Sequence, residues 1–333
     1  MSYITLKQIA KAAGVSLSTT SRALNGKMDV SEETREKVLK TANKLGYLPN
    51  RSALSLKKQK TYAIGVIVED NSNPFWSEVL KGIEISAREN GYHIIFVNTD
   101  RNYRNEVENI KLLLERRVDG LLIVPNQEKY DDLLELKERG IPFVIMGRHV
   151  EGLETPMVYT DDVNGGYTAT KHLIKKGCKK IAFIGAQSYN TASIERCKGY
   201  KLALKEAGIE IDSSLIKIST NSIRNGVMEV ESSYNHLREL LNDKVNFDGV
   251  FAYNDLMAFG VVKALKEAGI SIPSKVKVIG YDDIFHASII TPRLTTMKTK
   301  KQLMGKTAFE LLLNPNAKDR IVLSADLLIR EST

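Results

Sequence analysis

The sequence is poor in cysteine and tryptophan and has no long apolar run. Its two cysteines, Cys178 and Cys197, are neither numerous nor spaced as a CxxC pair. This argues against a disulfide framework or a zinc site and predicts a protein of the reducing cytoplasm without a metal or cofactor. No stretch reaches the about 18 apolar residues of a membrane span, and the first residues lack the pattern of a secretory signal. The 333 residues, 43% hydrophobic and 26% charged, are typical of a soluble protein with two or three domains.

Positive charge is concentrated at one end of the chain. Residues 1–60 contain 12 Lys and Arg but only 4 Asp and Glu, so this segment carries the whole net charge of +8. The rest of the chain is neutral. A small basic segment on a neutral body predicts a polyanionic partner at the amino-terminal end, although a solvated basic surface would have the same composition.

The basic segment has the signals of three short helices. Thr5, Ser16 and Ser31 are each placed to cap a helix, while Gly14 and Gly46 are placed to end the first and the third. Two short helices joined through a tight turn and followed by a third are typical of a helix-turn-helix unit. The expected domains are therefore a helix-turn-helix head over residues 1–48 and a hinge over residues 49–60.

The second of these helices has a polar outer face. Ser18, Thr19, Ser21 and Arg22 carry hydroxyls and one guanidinium, and the helix contains no acidic residue. Such side chains reach base edges and phosphates in the major groove, which favours nucleic-acid binding over a generic three-helix bundle.

The segment from Thr5 to Asn50 resembles the DNA-binding domain of the lactose-repressor/galactose-repressor (LacI/GalR) family. The resemblance is carried by the Ala-Gly-Val-Ser turn, the Ser-Arg-Ala-Leu-Asn run and the Gly-Tyr-Leu-Pro-Asn exit. It implies that double-stranded operator DNA is contacted by Thr5, Ser16, Leu17, Ser18, Thr19, Ser21, Arg22, Asn25, Asn50, Arg51, Ala53 and Leu56. Leu17, Ser18 and Arg22 match the family's base-reading positions. In the family the hinge folds on DNA and the residue matching Leu56 wedges into the minor groove, whereas Leu56 taken alone is an ordinary linker residue.

The remainder, residues 61–333, alternates apolar strand patterns with amphipathic helices. This predicts two doubly wound α/β lobes of periplasmic-binding-protein type, at about residues 61–160 and 161–290. The segment 291–333 is expected to cross back and complete both lobes. The rival reading is a nucleotide-binding or hydrolytic enzyme, but no GxGxxG, GxxxxGK[ST], HExxH or GxSxG pattern occurs. We therefore expect no enzyme.

Polar residues follow several of the predicted strands, where ligands of open α/β sheets bind. The family resemblance implies an effector site formed by Asn73, Phe75, Trp76, Arg148, Arg196, Asn254 and Asp282. Gly147 departs from the family pattern, in which a carboxylate often precedes this arginine. Asp255 and Asp283 are either further ligand contacts or caps of the segments that follow them.

The resemblance implies a homodimeric regulator whose operator affinity depends on a small ligand. We expect a repressor of carbohydrate utilisation with a sugar as inducer, since amides, guanidinium groups and aromatic rings suit sugars. The Asn-Pro-Phe-Trp and Ile-Met-Gly-Arg runs are most similar to maltose-type members. A purine-type corepressor and a phosphocarrier-dependent catabolite regulator are the alternatives within the family. No leucine-heptad helix follows the last predicted strand, which predicts a dimer rather than a tetramer.

Overall fold

The computed structural model describes residues 4–47, 60–126, 129–219, 226–314 and 319–333. The chain forms two compact units, which divide after Thr61. The predicted hinge contacts Asn50, Arg51, Ala53 and Leu56 lie outside the described residues.

The head is made of three helices, α1 (Leu6–Ala13), α2 (Leu17–Leu24) and α3 (Glu32–Lys44). The side chains of Thr5, Ser16 and Ser31 accept hydrogen bonds from the third backbone N–H of each following helix, as their positions predict. Gly14 ends α1 in the left-handed conformation with φ +67°, which glycine adopts without steric cost. The three helices share a small apolar core that includes Ile9, Ala23 and Val38.

The body contains two sheets. The first lobe begins with β1 (Ala63–Val68), α4 (Pro74–Glu89), β2 (His93–Asn98), α5 (Tyr103–Glu115), β3 (Leu121–Ile123), α6 (Asp131–Glu138), β4 (Phe143–Met146) and β5 (Met157–Thr160). The second lobe follows with α7 (Asp162–Lys175), β6 (Ile181–Gly185), α8 (Thr191–Glu206), β7 (Ile216–Ile218), α9 (Gly226–Asn242), β8 (Gly249–Ala252), α10 (Asp255–Glu267), β9 (Lys277–Asp282) and β10 (Thr295–Lys298).

The last elements serve both lobes. They are α11 (Lys301–Leu313), β11 (Arg320–Leu323) and β12 (Asp326–Leu328). The first sheet has the order β11-β5-β4-β3-β1-β2 and is parallel throughout, while the second has the order β12-β10-β9-β8-β6-β7, with only β12 antiparallel. Helix α11 returns to the first lobe and packs on α4. The backbones of the two helices approach closely at Gly82, where an added Cβ would lie only 2.1 Å from Gln302 O. Only glycine, which has no Cβ, fits at this position.

Helices cover both faces of each sheet. In the first lobe, alternate residues of β1 pack either against α4 and α11 or against α5 and α6. In the second lobe, β6 packs in the same way against α9 and α10 on one face and α7 and α8 on the other. The predicted fold class, a helix-turn-helix head with two doubly wound α/β lobes, is confirmed. This topology sets polar residues at the carboxyl ends of the parallel strands, where a doubly wound sheet binds ligands.

Candidate functional site

Helix α2 exposes three of the predicted DNA contacts of the head. Ser18 and Arg22 are exposed, and the side chain of Leu17 is 53% exposed beside them. Ser16 Oγ lies 2.7 Å from Ser18 Oγ and 2.8 Å from Thr19 Oγ1, so the hydroxyls at the start of the helix form one local network. These side chains are held in place by the cap yet remain accessible to a partner.

The other predicted contacts in the head also make short-range hydrogen bonds. Asn25 Nδ2 donates to Ser21 O at 2.7 Å, and Thr5 forms a reciprocal capping pair with Gln8 at the start of α1.

Arg22 is paired with Asp29, an acidic residue of the loop after α2. The helix itself lacks acidic residues, but the fold brings this carboxylate to its guanidinium. The ion pair orients Arg22 while leaving about half of its side chain exposed.

In the first lobe, the predicted site residues Trp76 and Arg148 meet on Glu69, which directly follows β1. Trp76 Nε1 donates to Glu69 Oε1 at 3.1 Å, and Arg148 Nη2 donates to Glu69 Oε2 at 2.5 Å. Arg148 Nη1 also donates to Pro125 O at 2.7 Å. All three side chains are nearly inaccessible to solvent. The carboxylate that pairs with Arg148 therefore comes from the residue after β1 and not from the position before the arginine.

Gly147 has a steric reason for departing from the family pattern. It adopts φ +73°, and an added Cβ would lie 2.5 Å from Cη2 of Trp76. A side chain at this position would collide with the indole ring that lies against the backbone. The indole ring of Trp76 therefore packs against the backbone at Gly147, while its N–H donates to the carboxylate of Glu69.

In the second lobe, Arg196 lies in α8 and is fixed by several partners. Its Nε donates to Asp162 Oδ1 at 2.8 Å, and its Nη1 donates to Tyr253 O at 2.6 Å. The predicted site residue Asp282 lies further away, with Oδ1 3.8 Å from Arg196 Nη2. The guanidinium carbon is also 3.6 Å from the centre of the Tyr281 ring, within the range of a cation–π contact.

The two lobes are joined by an ion pair between Arg101, which follows β2, and Glu229 of α9. Arg101 Nη2 donates to Glu229 Oε1 at 2.9 Å, and Arg101 Nε lies 3.4 Å from Glu69 Oε2. Asn254, a predicted site residue, donates from Nδ2 to the same Glu229 oxygen at 3.0 Å. Arg196 donates to the backbone of Tyr253, the residue before Asn254, so the ion-paired groups of the two lobes adjoin there. We call the buried charged and polar residues of both groups the cleft cluster: Glu69, Arg101, Arg148, Asp162, Arg196, Glu229, Asn254 and Asp282.

The charges of the cleft cluster act on one another. Burial alone would raise the pKa of Glu69, but the guanidinium groups of Arg101 and Arg148 outweigh it and lower this pKa to about 2. Burial raises the pKa of Glu229 and Asp282, and Arg101 and Arg196 oppose this only in part. Among the carboxyl groups of the cleft cluster, Glu69 is therefore the one whose ionised form is stabilised by its surroundings.

Two predicted contacts are also structural caps. The side-chain oxygen of Asn73 accepts from Phe75 N at 3.0 Å and begins α4, and that of Asn254 accepts from Met257 N at 2.9 Å and begins α10. Phe75 packs edge-on against Trp76, with ring centres 4.7 Å apart. Asn73 and Phe75 thus help to position Trp76, whereas Asn254 is itself part of the cleft cluster.

Asp255 and Asp283 make structural contacts, but neither caps the segment that follows it, since Asn254 caps α10. Asp255 accepts from Thr296 Oγ1 at 2.6 Å and from Ile284 N at 2.8 Å, and it is fully buried. Asp283 accepts from Arg330 Nη2 at 2.5 Å. Both carboxyl groups tie the loop after β9 to neighbouring elements of the second lobe.

Comparison with known proteins identifies the chain. Residues 61–330 match the family described as periplasmic binding proteins and sugar binding domain of LacI family, and residues 5–50 match bacterial regulatory proteins of the lacI family. The chain belongs to the LacI family.

The similarity to individual LacI-family proteins extends over most of the chain. It is 38% identical over 93% of its length, and 91% of the relative's, to the transcriptional repressor PurR of Vibrio atlanticus (strain LGP32). Among solved structures, a Lac repressor dimer bound to operator and the anti-inducer ONPF has a TM-score of 0.87 at 25% identity, with 99% of each chain covered. A LacI-family regulator of Enterococcus faecium with bound ribose has a TM-score of 0.71 at 32% identity, covering 81% of this chain and 98% of that one.

Membership in the LacI family makes the chain a DNA-binding transcriptional regulator with a ligand-binding body, and not an enzyme. The helices that the structure describes include none long and apolar enough to cross a bilayer. Among the described residues, no group of three or more His, Cys, Asp or Glu side chains is arranged to hold a metal ion.

Sequence reasoning missed four members of the cleft cluster. Glu69 and Arg101 carry a weak signal, because each is a charged residue just beyond a predominantly apolar strand. Asp162 begins α7 shortly after β5, where an aspartate is typical of the first turn of a helix. Glu229 has no local signal at all, since one carboxylate in a helical stretch is most often a solvated residue.

Proposed function

We propose that the protein is a cytoplasmic, homodimeric repressor that binds operator DNA through its head and a sugar in its cleft. The sugar acts as inducer, so that its binding lowers the affinity of the repressor for operator DNA. The regulated genes serve carbohydrate utilisation. The observation that supports this most directly is the cleft cluster, where three buried arginine–carboxylate pairs are formed by residues that follow parallel strands of the two lobes.

A sugar suits the chemistry of this cluster. Carboxylates accept hydrogen bonds from hydroxyl groups and guanidinium groups donate to them, so fixed pairs of both kinds read the donor and acceptor pattern of a polyhydroxyl ring. Trp76 and Phe75 supply apolar ring surface at the same place. The structurally similar regulator of Enterococcus faecium was solved with bound ribose, which adds support for a sugar. The maltose-type resemblance stays a prediction.

On the DNA side, we assign the operator contacts to the face of α2. Leu17, Ser18 and Arg22 are the base-reading candidates, since they are exposed on one short helix. The remaining contacts in the head are Thr5, Ser16, Thr19, Ser21 and Asn25, and those of the hinge are Asn50, Arg51, Ala53 and Leu56. A good bidentate contact from a side chain to a base contributes about 1–3 kcal/mol of discrimination against the wrong base.

Pairing of two heads is needed because one small head makes few phosphate contacts. The structurally similar Lac repressor was solved as a dimer on its operator. The body here exposes two large apolar side chains close together in sequence, Phe285 at 69% and Ile289 at 59%. We place the dimer contact of the second lobe at this surface, because such side chains are costly to leave in water.

A purine corepressor is the second candidate. It is favoured by the 38% identity to the transcriptional repressor PurR and by the aromatic pair Phe75–Trp76, which suits a planar base. Control by a phosphocarrier partner stays a prediction.

The experiment that separates these candidates uses the full chain and a duplex selected by it from a random-sequence pool. Fluorescence anisotropy of that duplex is followed while neutral sugars, or hypoxanthine and guanine, are added at fixed salt. A sugar that raises the Kd for the duplex is the expected result. A purine that lowers the Kd, with no response to any sugar, would replace the proposal by the corepressor alternative.

A further inference from the structure

The ion pair between Arg101 and Glu229 leaves polar atoms unsatisfied inside the cleft cluster. Glu229 Oε1 accepts from both Arg101 and Asn254, but Oε2 of the same buried carboxyl group has no hydrogen-bond partner within the described part of the chain. Arg101 Nε also lacks a hydrogen bond among these residues, although it lies 3.4 Å from Glu69 Oε2. Leaving a buried polar atom unpaired is unfavourable, so each unpaired atom needs an explanation.

The backbone at Arg101 is also held in an uncommon conformation. Asp100 and Arg101 have φ values of +50° and +53°, in the left-handed region that non-glycine residues rarely adopt. Such conformations persist where the surrounding structure over-determines them, and they are concentrated at binding sites. The turn after β2 thereby aims the guanidinium at the second lobe.

From these observations we propose that Arg101 and Glu229 are effector contacts that select a neutral, unphosphorylated polyhydroxyl ligand. The inference rests on the proposed sugar effector and adds the charge class of that sugar. Glu229 Oε2 accepts a hydrogen bond from one ligand hydroxyl, and Arg101 Nε donates to another. Because Arg101 belongs to the first lobe and Glu229 to the second, the ligand contacts both lobes at once.

The preference for a neutral ligand follows from how the arginines are paired. Each guanidinium of the cleft cluster already has a carboxylate: Arg148 at 2.5 Å from Glu69, Arg101 at 2.9 Å from Glu229, and Arg196 at 2.8 Å from Asp162. A phosphate or carboxylate group entering the cleft would have to displace one of these partners or lie beside it. At low dielectric, like charges a few ångströms apart repel strongly. A hydroxyl group bonds to both members of a pair and leaves the pair intact.

The test compares each neutral sugar with its charged counterpart on the purified full chain. The probes are D-ribose with D-ribose 5-phosphate, D-glucose with D-glucose 6-phosphate and D-glucuronate, and maltose with maltose 6′-phosphate. Because Trp76 is the only tryptophan and donates to Glu69, its fluorescence reports binding in the cleft. We expect the best neutral sugar to bind at least tenfold more tightly than its phosphate or uronate.

Two outcomes overturn different claims. A phosphorylated or carboxylated sugar that binds as tightly as its neutral counterpart would refute the neutral-ligand inference while leaving the sugar effector in place. Binding of hypoxanthine or guanine, with no response to any of the sugars, would refute the proposed function and with it this inference.

The roles of the two residues are tested with Glu229→Gln and, as its matched control, Glu231→Gln. Glu231 is an exposed glutamate two residues further along α9. We expect Glu229→Gln to weaken the neutral sugar at least tenfold and to shrink its advantage over the charged counterpart, whereas Glu231→Gln changes neither by more than twofold. A purely structural role for Glu229 would weaken both ligands equally, and an unchanged ratio of the two Kd values therefore contradicts the assignment. Arg101→Lys keeps the charge but removes Nε, and if Glu229→Gln does not fold, the same change in ratio is expected for Arg101→Lys.

Discussion

The head and the cleft cluster are both polar recognition surfaces, but they are built in opposite ways. In the head, Ser18 and Arg22 of α2 are exposed, and the local side-chain hydrogen bonds connect residues two to four positions apart. In the cleft cluster the polar side chains are buried and charged, and their partners come from distant parts of the chain. Arg148 is 79 residues from Glu69, and Arg101 is 128 residues from Glu229.

This difference reflects the two partners. A duplex is a large polyanion with water in its grooves, so an exposed face with local caps is sufficient to contact it. A small ligand is enclosed, and its recognition needs groups that are positioned and desolvated before it binds. We therefore expect a substitution in the cleft to cost more free energy than one in the head. The substitutions below test this, from the largest expected effect to the smallest.

The largest effect is expected for Arg196→Ala in the cleft. Removing one member of a buried ion pair costs about 3–5 kcal/mol, because Asp162 is left buried without its partner. Arg293→Ala is the control, since Arg293 pairs with Glu331 at the same 2.8 Å but on the surface, where such a pair contributes about 0–1 kcal/mol. Urea unfolding followed by Trp76 fluorescence measures both. Equal losses for the two variants would show that burial does not set the strength of these pairs.

Glu69→Gln is expected to show a pH-dependent effect of about 3 kcal/mol at neutral pH. The folded-state pKa of Glu69, about 2, lies below its unfolded value. Its ionised form therefore stabilises the fold above about pH 4.5, and this contribution is lost as the pH falls toward 2. The difference in unfolding free energy between wild type and variant should shrink over this range. A difference that does not vary with pH would mean that Glu69 is not held ionised by Arg101 and Arg148.

Gly147→Ala tests the packing of Trp76 and is expected to cost about 2–3 kcal/mol. The added methyl group combines an unfavourable positive φ with a collision against the indole ring. Gly152→Ala isolates the first of these terms, because Gly152 has φ +75° with no atom within 4 Å of an added Cβ, and should cost about 1 kcal/mol. Thermal unfolding curves of the two variants give the comparison. If both shift the midpoint equally, the indole ring does not constrain this position.

Arg22→Ala is the corresponding substitution in the head. It should weaken binding to the selected duplex by about 1–3 kcal/mol, roughly 5- to 150-fold, without changing the unfolding of the body. Lys40→Ala removes the same charge from an exposed position of α3 outside the predicted contact set, and should have a smaller effect at equal salt. Anisotropy titrations at several salt concentrations separate the two. An equal loss for both would indicate general charge attraction instead of a specific contact.

The contrast between local and distant partners also explains what the sequence could predict. The first residues of α1, α2 and α3 could be predicted from the N-caps Thr5, Ser16 and Ser31, because a cap acts within one helical turn. The strands were readable as apolar runs, since parallel strands are buried on both faces. The pairing of Glu69 with Arg148, and of Arg101 with Glu229, depends on strand order and on the approach of two lobes. No spacing along the chain encodes either, so these partners could be found only in the folded protein.

Occupancy of the cleft by a neutral sugar is proposed to control the affinity of the head for DNA, and the rest of the proposed function depends on this coupling. The most direct measurement is the Kd of the full chain for its selected duplex, at fixed salt, with and without the sugar that changes Trp76 fluorescence. A coupling of about 1–3 kcal/mol predicts that this sugar raises the Kd by about 5- to 150-fold. A sugar that binds the cleft but leaves the Kd for the duplex unchanged would contradict the account.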